Sequence, residues 1–135
     1  MLDLTPLERA LAALDRSLSR FAGAPTDEEV RDACIHRFEF TFELSWKMLK
    51  RRLQMDLPNA QEVDSMTWRA LMRAGAEQGL IDDVAGWLVY REKRNITSHT
   101  YDAIKAAEVA AVLPEFARAA RALLGRLQVR GAADA

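Results

Sequence analysis

Residues 91–102, "REKRNITSHTYD", carry three cationic groups, an amide, three hydroxyls, an imidazole and a phenol. The rest of the chain is mostly Ala, Leu, Arg and Glu, and only two histidines occur in all 135 residues. A guanidinium grips phosphate through a planar fork and does not lose its charge. An imidazole exchanges a proton near neutrality. If Arg94 and His99 meet at one ligand, they suit cleavage of RNA by its own 2′-hydroxyl. One group removes the hydroxyl proton, another protonates the leaving oxygen, and a cation holds the crowded phosphate. That chemistry needs no metal and no cofactor, and none is expected. The second imidazole is missing from the segment, since His36 belongs to a charged stripe on a different helix. A symmetric dimer would supply it as a second copy of His99.

The same residues also have a structural reading. A histidine just past a helix end can cap it, and Arg, Asn and Ser near a helix end commonly satisfy free backbone groups. Spacing adds a constraint. Five residues separate Arg94 from His99, which in an unbroken α-helix sets them about 140° apart. Convergence therefore requires a bulge or a helix end between them. Ile96, Thr97 and Thr100 are β-branched and weaken a helix there. Ser98, four residues after Arg94, would share its face. Arg91 and Ser98 are read as supporting residues.

The elements that must position this segment are helical. Thr5-Pro6-Leu7-Glu8 reads as a capping box, followed by Leu7, Leu11, Leu14 and Leu18 at helical spacing. Thr26-Asp27-Glu28-Glu29 reads as a second box, opening a helix to about Met55. On that helix Ile35, Phe38, Phe42, Trp46, Leu49 and Leu53 share one face, while Phe40, Leu44 and Met48 fall opposite. Two apolar faces fit a central helix buried all round, or a helix with one face in the core and the other at a subunit interface. The second reading is preferred and makes Phe40, Leu44 and Met48 the interface. Cys34, Thr41 and Ser45 form a small-residue side that permits close helix approach. Asp32, His36, Glu39, Glu43, Lys47 and Lys50 form a charged stripe.

A third helix is expected from about Asp64, ended by a left-handed Gly79 with Leu80-Ile81 as its apolar lock. It resumes after Asp82 or Asp83 with Val84, Trp87, Leu88 and Arg91. Asp102 caps a last helix from Ala103 that Pro114 should kink or split. Residues 130–135 read as a frayed tail. The sequence thus predicts an all-α fold, an antiparallel up-down four-helix bundle with an interrupted third helix and a Pro-kinked last one. It is read as one domain over residues 1–129.

Composition narrows the function classes. Charged residues make up 29% of the chain and nearly cancel, with a formal net charge of -1. That excludes a broadly basic nucleic-acid coat but allows a local basic pocket. The single cysteine, Cys34, excludes a disulfide framework and a cysteine zinc cluster, and reads as a buried small apolar group. Glu39 and Glu43 suggest a metal pair, but they are better read as pairing with Lys47 and its neighbours. Neither a signal peptide nor a membrane span is apparent, so a cytoplasmic protein is expected. Trp46, Trp68 and Trp87 read as core. Trp87 or Tyr90, near the motif, is also a candidate for stacking on a base.

Arg94-Asn95-Ile96-Thr97-Ser98-His99-Thr100-Tyr101 is similar to the R-x4-H-x-Y motif of HEPN domains, specifically the HepT-like toxin group. "RFEFTFELSWKMLKRRL" (37–53) followed by "YREKRNITSHTYD" (90–102) resembles the branch called nucleotidyltransferase substrate-binding proteins. The resemblance runs from the first helix to about Leu127, and the eight-residue motif shows no departure. It implies a homodimeric helical bundle in which Arg94, Asn95 and His99 line an RNA-cleaving cleft at the dimer interface. It also implies a minimal nucleotidyltransferase as partner and antitoxin, which transfers AMP to Tyr101 and silences the nuclease. The branch name carries a different expectation, a non-catalytic subunit that presents substrate to the transferase. Intact Arg94, Asn95 and His99 favour the nuclease. RNA is then the substrate, with no DNA or membrane role.

Overall fold

The computed structural model describes residues 1–134. Short polar side chains set where most of its helices begin. Asp27 starts α2 (Glu28–Asp56), its carboxylate accepting the Glu29 and Val30 N–H groups at 3.0 and 3.2 Å. Asn59 caps α3 (Ala60–Asp64), and Thr67 caps α4 (Trp68–Glu77). Asp83 caps α5 (Val84–Asn95), and Asp102 caps α6 (Ala103–Ala133). Of these α-helices, only α1 (Thr5–Gly23) lacks a side-chain cap. Neither expected capping box forms as drawn. Thr5 is the first helical residue, with its N–H on Asp3 Oδ1 at 3.0 Å. Thr26 yields to Asp27, because a carboxylate also complements the positive end of the helix dipole.

The fold is an all-helical antiparallel bundle with the third segment broken into α4 and α5. Gly79 makes that break. Its φ of 75° is left-handed, Leu80 N–H returns to Gly75 O at 2.8 Å, and Gly79 N–H returns to Ala76 O at 3.0 Å. This is a Schellman end, and it buries Leu80 and Ile81. Gly75 lies so close to Ile81 and to Leu49 of α2 that a Cβ there would sit 2.9 Å from Ile81 Cγ1 and 3.2 Å from Leu49. The short α3 was not expected from the sequence. Pro114 lies within α6 without splitting it.

Helix α2 is central and packs against α1, α3, α4, α5 and α6. Phe116 of α6 meets Phe38 edge-on at 4.8 Å, Tyr90 at 5.3 Å and Trp87 at 5.8 Å. Edge-to-face contacts of this kind favour one arrangement of the core over others of equal volume. Cys34 is buried, and desolvation raises its thiol pKa, which keeps it unreactive.

The second apolar stripe of α2 is narrower than expected. Phe40 is 56% exposed and Leu44 half-buried, but Met48 is buried within the chain's own core. A four-residue step advances about 400° around a helix, so Met48 has turned about 80° from Phe40. That brings it beside the buried small-residue side of Cys34, Thr41 and Ser45.

The tail also differs from expectation, because α6 stays helical to Ala133. Arg52, nearly buried on α2, donates from Nε and Nη2 to Asp56 at 2.9 and 2.6 Å and from Nη2 to Asp134 at 2.9 Å. Arg130 donates to Asp56 at 2.9 Å and to the Gln78 carbonyl at 2.6 Å. A buried guanidinium needs such partners, and the chain end supplies one. The Arg52 hydrogen bonds hold both Asp56 and Asp134 below the usual carboxylate range. Their contribution is therefore complete above that range and is lost as pH falls through the depressed folded-state values, below about pH 4. Asp134→Asn should lower the melting temperature at neutral pH and flatten the acid limb of stability against pH. Identical acid limbs by circular dichroism would show that this clasp contributes nothing.

Candidate active site

Helix α5 ends at Asn95, and a single 3₁₀ turn, Thr97–His99, follows before α6. The tightening is visible in the backbone, with Ile96 N–H on Lys93 O at 3.2 Å and His99 N–H on Ile96 O at 3.0 Å. Thr97 stabilises the change. Its hydroxyl donates to the Arg94 carbonyl at 2.8 Å and accepts from Arg94 Nη1 at 3.0 Å. The break required between Arg94 and His99 is thus present, at the β-branched residues. Because the helix has ended, Ser98 does not stack on Arg94 and is exposed; Thr97 takes the contact instead.

Arg94 is half-buried between two carboxylates of α2. Its Nε is 3.5 Å from Glu43 Oε1, and its Nη2 is 3.9 Å from Glu39 Oε2. The Nε is buried and makes no hydrogen bond. Glu43 also accepts the indole N–H of Trp46 at 3.1 Å. Lys50 pairs with Asp64 at 2.9 Å. Glu39 and Glu43 are therefore partners of Arg94, not of Lys47 as the sequence suggested. The 100° rule shows only that the two carboxylates border the core face. Taking Ile35 as zero, Glu39 and Glu43 fall at about 40° and 80°, to one side of Trp46 at about 20°.

Arg91, Arg94 and Asn95 line a cavity of about 460 Å³ with Glu43, Trp46, Lys50 and Trp68. Phe42 stacks on Trp68 at 5.2 Å, Trp46 meets it edge-on at 5.7 Å, and the Arg91 guanidinium lies 5.3 Å from its ring centre. The sequence reading missed this cavity. It placed base-stacking candidates at Trp87 and Tyr90, but both are core residues packed on Phe116. Burial pushes the Tyr90 phenol up to about 12. Trp46 and Trp68, expected in the core, are only partly buried at its edge and line the cavity. The unexpected α3 turn contributes Val63 to the lining.

His99 and Tyr101 lie outside this cavity. Their rings are 6.2 Å apart, nearly edge-on, and both residues are exposed. Among the described residues the His99 imidazole makes no hydrogen bond, and none joins it to Arg94. A capping role for that ring is therefore not realised. The Tyr101 ring is 86% exposed and does not pack at the start of α6. Within the chain, Arg91, Arg94 and Asn95 are brought together and His99 lies beside Tyr101. On another face of α2, Phe40 and Leu44 line an apolar cavity of about 290 Å³ with Ala10, Ala13, His36 and Arg37. No described helix is long and apolar enough to cross a membrane.

Residues 2–129 match the family described as nucleotidyltransferase substrate binding protein like. A probable ribonuclease HepT from Haemophilus influenzae is 42% identical over 100 residues, covering 74% of this chain and 68% of that protein. A solved Haemophilus influenzae structure, described as the fold of a substrate binding domain of a nucleotidyltransferase, superposes with a TM-score of 0.89 at 33% identity. It covers 93% of this chain and 99% of its own. A Thermus thermophilus structure superposes with a TM-score of 0.73 at 31% identity, covering 90% of this chain and 98% of its own.

Proposed function

The chain belongs to the nucleotidyltransferase substrate binding protein like family, and on that premise we propose that it is a HEPN-type endoribonuclease paired with a minimal nucleotidyltransferase. The observation that carries the reading is the state of His99: its imidazole is exposed and free of hydrogen bonds just past a helix break, while Arg94 beside that break is fixed. A ring with no structural duty at that position is available to exchange protons. The probable-ribonuclease description of the Haemophilus relative supports the same reading. Arg94 holds the scissile phosphate, Asn95 adds a donor beside it, and His99 moves the proton. The test is cleavage of RNA by the purified chain alone, in EDTA, leaving a 2′,3′-cyclic phosphate.

Acid–base chemistry at both ends of the broken bond needs two proton carriers, and each protomer brings one motif imidazole. We therefore place two protomers together through the α2 face of Phe40 and Leu44. Burying each side chain contributes on the order of 1.5–3 kcal/mol. Light scattering at micromolar concentration should give a dimer for the wild type and a monomer for Leu44→Arg. A folded wild type that runs as a monomer would remove this part of the reading.

A second reading is that the chain presents a substrate to the transferase without cutting RNA. It draws on the description of the Haemophilus structure and on the two carboxylates that already face Arg94. Absence of cleavage across varied RNAs, with retained binding to the cognate transferase, would select it.

A further inference from the structure

The cavity bounded by Trp46, Trp68, Arg91 and Asn95 has a chemistry of its own, separate from the exposed His99. Its wall is aromatic, with Trp46 and Trp68, and its rim is cationic, with Lys50, Arg91 and Arg94. Arg91 lies over the Trp68 indole at 5.3 Å, and a flat guanidinium on an aromatic ring occupies the place that a stacked base would take. Glu43 and the Asn95 amide add an acceptor and a mixed donor–acceptor pair to the lining. A volume of about 460 Å³ is in the range of pockets that take small molecules.

We propose that this cavity is a subsite for one unstacked nucleobase of a single-stranded RNA. The base displaces Arg91 from Trp68 and stacks in its place, and the released guanidinium takes an adjoining backbone phosphate. Arg94 and Asn95 line the cavity and also belong to the motif, so the base beside the scissile phosphate is the one held. This choice of a strand as ligand rests on the ribonuclease reading above; the base-binding chemistry itself does not.

The experiment titrates the full-length protein with 2′-O-methyl tetranucleotides, which cannot be cut, and separately with AMP and UMP, following tryptophan fluorescence. Trp46 and Trp68 line the cavity, whereas Trp87 is buried in the core away from it. The tetranucleotides should quench the emission saturably, and the mononucleotides should bind more weakly. Trp68→Leu should weaken tetranucleotide binding by about tenfold or more, and Trp68→Phe should keep it within about threefold, as stacking demands. Tetranucleotide binding by a folded Trp68→Leu variant equal to that of wild type would overturn the proposal. Mononucleotides binding as tightly as the tetranucleotide would overturn the assignment to a strand. If Trp68→Leu does not fold, photo-crosslinking of wild type to an iodouridine-containing tetranucleotide decides the matter. Adducts on Trp46 or Trp68 support the subsite, and adducts only elsewhere reject it. Because the probe is not cut, a wild type that binds in this way but never cleaves RNA would fail as a nuclease and keep the subsite. One that cleaves RNA but binds without Trp68 would do the reverse.

Discussion

His99→Ala should lower RNA cleavage by about 10²–10⁴-fold, the usual weight of a positioned acid–base group, while the protein stays folded. In the proposed reaction the 2′-oxygen attacks the adjacent phosphorus, the bond to the 5′-oxygen breaks, and the proton lost at the first is replaced at the second. The exposed imidazole makes no contact that the fold depends on, so its loss should leave the melting temperature within about a degree of wild type, in keeping with surface substitutions away from structural contacts. Arg94→Lys should also be poor, for a different reason. An ammonium has no planar fork with which to grip phosphate, and it cannot span Glu39, Glu43 and Thr97 as the guanidinium does. Equal rates for wild type and His99→Ala, on several RNAs in EDTA, would remove the catalytic assignment.

Tyr101→Phe should leave cleavage near the wild-type level and make it resistant to the cognate transferase. In the proposed modification the phenolic oxygen attacks the α-phosphorus of ATP, pyrophosphate departs, and the phenol proton is lost. A ring that is 86% exposed presents its oxygen to a partner enzyme without unfolding anything. Once attached, AMP adds bulk and negative charge beside His99, whose ring is 6.2 Å away. Arg94 and Arg91 are the cations the new phosphate would compete for, and both would otherwise serve RNA. Steric and electrostatic effects therefore both oppose cleavage. Intact mass after incubation with the transferase and ATP is the readout. The wild type should gain one AMP or more and Tyr101→Phe none; an AMP-sized gain on both proteins, or on neither, would show that Tyr101 is not the switch.

The motif and its setting differ in how far the chain revealed them. Helix boundaries and the left-handed Gly79 were legible because caps, glycine ends and apolar spacing are local, and local geometry fixes them. The break between Arg94 and His99 was legible for the same reason, since β-branched residues crowd the helix where it ends. The partners of Arg94 were not. Glu39 and Glu43 lie more than fifty positions away on another helix, and their carboxylates look like a solvated stripe until α5 packs across α2. Met48 was misplaced on the outer stripe because a four-residue spacing drifts around the helix, and only the packing of α2 shows where one face gives way to the next.

By itself the sequence determined the all-helical fold, the position of the motif at a helix end and the chemical types gathered there, because those follow from side chains a few residues apart. Only the tertiary structure decided which groups are free. It buries Trp87 and Tyr90, leaves Trp46 and Trp68 to line a cavity, and turns the expected frayed tail into a helix end held by Arg52. The physical reason is the same in each case. Burial and ion pairing depend on which surfaces of distant elements meet, and a guanidinium or an indole carries no mark in the sequence of what will lie across from it.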